Sequence, residues 1–431
     1  MSLPPFNGVI VYSKRDPLRR VFRAECKSLG LAEAVLPASE QECLDQLYYL
    51  QSALLVVDYD VGAKSAAKVL QAAKSHHNIE TRPILLVVDT LDHNVAATAA
   101  EFGVSMILTG ELTPGIVKER LAKLKEQETS LQPLKEKMIQ IAFARERKDL
   151  AHSSKLLMEL QKQYPGNPRI VVEVAENFIQ QDAWEEALKI LTPLKDKKPP
   201  YLRAIHLMGR CFAKLGQPDA ALQAFEMCNL FNPNNVARLV DLGNILLKRN
   251  QVPEAKGNYS AALDMDPSNK PAKMGVSQCL LLEGEVNEAL SIMKEMSGPR
   301  ELAAVFNTSA VVAIRHGEFE KGVELYEQAQ KALGSNRKLR ARIFYNKGIA
   351  FHRWQKPDQA LAAFETAHKL DPSFDNAGHN IKASQHLLAG GKPTKAAVGQ
   401  NTSPQAAPEV NWDQEAFMNL FDDQSEDEFD D

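Results

Sequence analysis

The 431-residue sequence is poor in the features that mark several function classes. Its five cysteines, Cys26, Cys43, Cys211, Cys228 and Cys279, are odd in number, scattered and never in CxxC spacing. That argues against a disulfide framework or a zinc site and for a reducing cytoplasm. No run of about 18 apolar residues occurs, and the opening MSLPPFNGVIVYSKRD has neither a basic n-region nor a long apolar core. Neither a membrane span nor a signal peptide is therefore expected. Phosphate-cradling patterns of the GxxxxGKS/T or GxGxxG type are absent, the ten histidines form no HExxH, and no GxSxG or Cys–His nucleophile arrangement is found. The chain is thus expected to be no enzyme, with no catalytic residue, no metal and no cofactor.

What is present is a globular composition, 44% apolar and 25% charged, and a polarised charge distribution. Residues 409–431 hold ten of the 55 acids and no Lys or Arg, whereas the other 408 residues carry 51 basic and 45 acidic side chains, a net of +6. A mildly basic body with an acidic end is not a nucleic-acid profile, and it lets the two attract each other.

Residues 6–125 alternate short β-branched runs with segments of helical periodicity. The runs are Val9–Tyr12, Ala53–Val57, Pro83–Val88 and Ser105–Leu108, with a fainter fifth at Glu33–Leu36. Between them, Leu18–Leu29, Glu40–Leu50, Ala63–Ser75, Asn94–Phe102 and Pro114–Lys125 space apolar residues by three or four. Such alternation predicts βαβ units, a parallel sheet and a site at the carboxyl ends of the strands. In chain order, with the faint run counted second, the third strand reads Leu54-Leu55-Val56-Val57-Asp58, and the region resembles bacterial response-regulator receiver domains, which are flavodoxin-like. The resemblance makes Asp58 the candidate phospho-acceptor. It also implies an acidic pair that holds Mg²⁺, a hydroxyl residue ending the fourth strand and a lysine ending the fifth. Those positions here carry Ser13-Lys14 or Lys14-Arg15, Val88 and Gly110. A cation, Lys14 or Arg15, would then stand where Mg²⁺ sits and pair with Asp58, making a pseudo-receiver used for docking or self-association. Mg²⁺ is expected only if the receiver is active.

From Leu134 to Pro372 a 34-residue period replaces the strand pattern. Repeats start at 134, 168, 202, 236, 270, 303 and 341, small at positions 8 and 20, large at 24 and broken at 32. The best copies carry Gly209, Ala221, Phe225 and Pro233; Gly243, Ala255, Tyr259 and Pro267; and Gly348, Ala360, Phe364 and Pro372. Positions 8 and 20 meet where two antiparallel helices cross, position 24 fills the gap to the next repeat, and proline stops the second helix. These residues resemble the tetratricopeptide repeat, which implies an all-α superhelix with a concave, peptide-binding groove lined by positions 2, 5, 9 and 12 of each first helix. That places Arg203, His206, Arg210, Asn244, Asn307, Arg342 and Tyr345 in the candidate groove, a basic and amide-bearing lining suited to an extended acidic peptide. It partly matches the carboxylate-clamp subset of the family, without the lysine of a first clamp repeat.

The resulting expectation is a multidomain chain. A receiver-like domain at 1–127 is followed by a superhelix of about seven repeats at 134–388, a flexible linker at 389–408 and a disordered acidic tail at 409–431. In the tail Trp412, Phe417, Leu420 and Phe421 would gather on one side of a helix, as a motif for a partner or for the chain's own groove. The 19 residues 390–408 have a coil dimension of roughly 25 Å, enough to fold back. The function expected is that of a cytoplasmic, non-enzymatic signalling adaptor binding protein or peptide partners, with no nucleic acid. Two alternatives stand beside it: a regulator phosphorylated at Asp58 within a phosphorelay, and an assembly factor for a bacterial surface or secretion machine.

Overall fold

A computed structural model describes residues 6–74, 82–198, 200–296 and 298–389. The chain divides into two compact units. The described residues up to Ile245 form the first with Asp264–Pro267; Leu246–Leu263 and the described residues from Ser268 onward form the second.

The first unit begins with a parallel sheet of β1 (Gly8–Tyr12), β2 (Ala53–Asp58), β3 (Ile84–Val88) and β4 (Met106–Thr109), in the order β1-β2-β3-β4. The register sets Val11 beside Val56, Val57 beside Leu86 and Val87 beside Leu108. Every residue of β2 and β3 is buried, as expected where helices cover both faces. The fainter run at Glu33–Leu36 forms no strand of its own. Only Val35 pairs, bridging beside Ile10, because Pro37 follows at once and removes the next donor.

The helices α1 (Asp16–Ser28), α2 (Glu40–Tyr49), α3 (Ala63–Lys74) and α4 (His93–Glu101) lie between the strands in sequence, and α5 (Pro114–Ser130) follows the last. Ser39, Asp92 and Thr113 cap α2, α4 and α5 by accepting the backbone N–H of Glu42, Val95 and Ile116. One sheet face, bearing Val9, Val11, Leu54, Val56, Leu85 and Val87, packs on Phe22 and Cys26 of α1 and on Val117 and Leu121 of α5.

The rest of the chain is helical: α6 (Gln132–Glu146), α7 (Leu150–Gln163), α8 (Pro168–Gln180), α9 (Trp184–Leu191), α10 (Leu202–Lys214), α11 (Pro218–Phe231) and α12 (Val236–Lys248). It continues through α13 (Val252–Met265), α14 (Lys270–Glu283), α15 (Val286–Met296), α16 (Pro299–Arg315), α17 (Phe319–Ala332), α18 (Arg337–Arg353), α19 (Pro357–Leu370) and α20 (Asp375–Leu388). The turns give an independent reading of the period. Lys148, Asp182, Gly216, Asn250, Gly284, Gly317 and Gln355 all have positive φ, and each is the fifteenth residue of its repeat. The next residue's N–H reaches back five residues to a carbonyl at 2.8–2.9 Å in every copy, the bond that closes a helix end. Within repeats the helices touch closely. A Cβ on Gly209 would lie 2.4 Å from the Phe225 ring, and one on Gly348 2.6 Å from Phe364. Phe225 also packs with Leu242 and Ile245 of the following helix, which is how position 24 fills the gap.

Within the first unit, α4 lies against α10 and α11. Ala97 packs with Leu202, Ile205 and Cys228. Beside it, Glu101 accepts from Asn232 Nδ2 (2.7 Å), Asn235 Nδ2 (2.9 Å) and Arg238 Nη1 (2.7 Å). Arg238 is fully buried and also donates to Asn229 Oδ1 at 2.8 Å and to the Asn232 carbonyl. This buried ion pair ties the sheet region to α12, the first helix of the fourth repeat, and Asn232 and Asn235 add bonds from the end of the third.

Candidate functional site

The carboxyl end of β2 carries a charge cluster of Arg15, Asp58, Asp60 and Asp89. Asp58 is fully buried, and both its oxygens are engaged. Arg15, the residue before α1, donates from Nε to Oδ2 (2.7 Å) and from Nη2 to Oδ1 (2.6 Å). Ser13 Oγ donates to Oδ2 at 2.5 Å and in turn accepts the Arg15 backbone N–H at 3.0 Å. The third guanidinium nitrogen, Nη1, binds Asp89 Oδ1 at 2.7 Å and stands 3.6 Å from Asp60 Oδ2. The bond to Asp58 raises the Arg15 pKa further above its already high ordinary value. Of the two candidate cations, then, Arg15 meets Asp58. Lys14 instead donates to the Val61 carbonyl at 3.3 Å. Gly110, after β4, has φ +77 and no side chain to offer.

This donor set does not suit Mg²⁺. Three carboxylates converge, but a fixed guanidinium already sits among them, and the positions after β1 supply Ser13, Lys14 and Arg15 rather than acids. Among the described residues no group of three or more His, Cys, Asp or Glu is arranged to hold a metal.

The repeat residues named from the sequence fall into three groups. Arg203 Nη2 is engaged by Glu173 Oε1 (2.6 Å) and Glu176 Oε1 (3.0 Å), both on α8. Arg145 of α6 approaches the same Glu173 from the other side, Nη1 to Oε2 at 2.7 Å. Burial would raise the Glu173 pKa, but Arg203 and Arg145 outweigh it and hold the carboxyl at about 2. His206 Nε2 lies 2.8 Å from Asp241 Oδ2. Arg203 and His206 each meet acids of the chain itself, which the first-helix positions alone do not reveal. Arg210 and Asn244 are exposed, and Arg342 is half-buried.

Asn307 is a correction. It is buried, and its Oδ1 accepts from Tyr326 Oη (3.2 Å) and Asn346 Nδ2 (2.8 Å), so it braces α16 against α17 and α18 rather than lining a groove. Tyr345 is partly buried between the Phe364 and Phe374 rings, and its Oη accepts from Asn380 of α20 at 3.2 Å. The linker and the tail residues Trp412, Phe417, Leu420 and Phe421 lie outside the described residues.

Two Tetratricopeptide repeat family models match the chain, at residues 240–296 and 341–374. These two stretches of the helical part are thus similar to tetratricopeptide repeats. A DnaJ homolog subfamily C member 7 homolog of Schizosaccharomyces pombe is 23% identical over 221 residues, half of this chain and 42% of that protein. Hsp70-Hsp90 organizing protein 3 of Arabidopsis thaliana is 26% identical over 136 residues, 31% of this chain and 24% of that protein. The chain thus spans less than half the length of either relative. A solved tetratricopeptide repeat protein from Parabacteroides merdae aligns with 59% of this chain and 99% of its own, at 15% identity and a TM-score of 0.40. No helix among the described residues is long and apolar enough to cross a membrane.

Proposed function

We propose that this chain is a non-enzymatic scaffold that holds protein partners on a repeat array at 134–388, with a receiver-like region at 1–127 that acts as a fixed docking module. Tetratricopeptide repeat proteins generally mediate protein–protein interaction, and the Arabidopsis relative is named for organizing Hsp70 and Hsp90. The observation that carries the reading is the state of Asp58: buried, bound at both oxygens by Arg15 and Ser13, and so closed to an incoming phosphoryl group. With that carboxylate engaged, the repeats are the part left to act. The receiver-like reading is supported by the parallel order Val35-β1-β2-β3-β4, which in sequence order is the flavodoxin-like 2-1-3-4-5. Because α4 is covered by the chain's own repeats, pairing of two such regions would use another face.

A partner on the repeats would meet different chemistry along the array. Arg145 and Arg203 are paired with acids of α8, while α18 has six Lys or Arg and no Asp or Glu of its own in 17 residues, one of them, Lys347, meeting Glu327 of α17. An acidic peptide is accordingly best served by the last repeats. Capture from cell extract with the full chain and with an Arg342→Glu/His352→Glu variant, altered at two partly exposed positions of α18, tests this. Proteins retained by the parent and lost from the folded variant are expected; identical captured sets would contradict it.

A further inference from the structure

The helix α18 has the largest basic excess of any described helix, and its carboxyl end is built from aromatic rings as well as cations. Trp354 stacks nearly parallel to Phe319 (centroids 5.8 Å, 8°) and to Phe351 (6.2 Å, 3°). Lys347 Nζ lies 5.6 Å from the Phe351 ring centre and Lys356 Nζ 3.0 Å from that of Trp354. All five side chains are partly exposed, so the second unit presents a ledge of ring faces and edges fringed by ammonium groups. Apolar rings held at a surface under cations are a receptor for a segment that carries aromatics and carboxylates together.

The sequence supplies such a segment. Residues 409–431 combine ten acids with Trp412, Phe417, Leu420 and Phe421 and carry no Lys or Arg. The tether is short enough. Asn380 of α20 bonds to Tyr345 of α18, and α20 packs on α19, which packs on α18, so the end of the described chain is two helices at most from the ledge. In sequence, the 19 residues 390–408 separate the last described residue from the tail, a length for which a random coil would span roughly 25 Å. We propose that the acidic tail docks in cis on the Phe319–Phe351–Trp354 ledge, its carboxylates pairing with Lys347 and Lys356. Glu327 already holds Lys347 at 2.8 Å, and a tail carboxylate competes for that lysine. The proposal deepens the peptide-binding reading of the last repeats by naming one occupant, and an acidic partner would have to displace it.

The test uses the purified full chain with a photoreactive benzoyl-phenylalanine in place of Phe417. Irradiation at micromolar concentration is expected to give cross-links within the monomer, mapping to peptides that contain Phe319, Phe351 or Trp354. Since Trp354→Ala risks unfolding the repeat, the decisive variant is Lys347→Glu/Lys356→Glu, with helicity checked by circular dichroism. It should lower the cross-link yield about fivefold, because it removes both the cation–ring and the ion-pair contacts. Cross-links confined to a dimer, cross-links elsewhere on the chain, or a yield unchanged by the double charge reversal would each overturn the proposal. No partner is added, so failure here leaves the capture experiment unaffected, and a failed capture leaves this one intact.

Discussion

Arg15 and Asp58 form a pair in which one member is fully buried and the other reaches solvent at one edge. Arg15→Ala leaves a buried carboxylate with Ser13 as its remaining side-chain donor, and should lower unfolding stability by about 2–3 kcal/mol in urea denaturation. Asp58→Asn removes the charge instead, and the double variant should lose less than the sum of the two single ones, as coupled neighbours do. Strict additivity would contradict the pairing. Glu173 gives a pH signature. Its carboxyl is held at about 2 in the folded chain, while an unfolded one titrates near about 4.3. Its contribution is therefore complete above about pH 5 and is lost as pH falls toward 2, because there the unfolded state binds the proton first. Glu173→Gln should be less stable than the parent by about 3 kcal/mol at pH 7, with the gap closing as pH falls from about 4 to 2. A gap that stays constant across that range would contradict this. The five thiols are all buried, and burial raises their pKa to about 11 or 12. Iodoacetamide at pH 8 should leave them unmodified until the chain unfolds. The sequence made a cation beside Asp58 foreseeable, since it stands where an acid was expected, but not which one: Lys14 and Arg15 are adjacent and only the fold orients them. It gave no sign of Glu173, because a charge buried between two arginines reads like any surface glutamate.

The repeat register was readable because it is written in residues with steric consequences. Gly209→Ala should destabilise by about 1–3 kcal/mol, since the added Cβ meets the Phe225 ring. Gly257→Ala, in the exposed interior of α13 with nothing within 4 Å, should stabilise by roughly 0.5–1 kcal/mol. Thermal denaturation of the two variants, moving in opposite directions, checks the placement. At the turns, Gln355 has φ +58, where Gly216 and Gly284 stand in sister repeats; Gln355→Gly should raise stability by about 0.5–1 kcal/mol. The helices of the sheet region were equally plain from apolar spacing. Their ends were less so: α5 runs to Ser130, five residues past the periodic stretch, because the polar residues 126–130 lack a pattern while still favouring helix. The faint run at Glu33–Leu36 takes its expected place beside β1 through Val35 alone. A short apolar run before a proline can pair through one residue without making a ladder.

Contacts across long separations were beyond the sequence altogether. Glu101 and Arg238 are 137 residues apart, and each alone looks like a surface charge. Together they hold the sheet region to the repeats, so Arg238→Ala should strand Glu101 and cost about 3–5 kcal/mol. Hydrogen exchange should then show α4 and α11 opening together more readily than in the parent; protection unchanged in both would contradict the coupling. The sheet region thus has a strand-end carboxylate held by the chain's own arginine. The most direct check on it is calorimetric titration of the full chain with beryllofluoride and Mg²⁺. No saturable binding is predicted, because Arg15 and Ser13 occupy both oxygens of Asp58. Saturable binding that Asp58→Asn abolishes would contradict it.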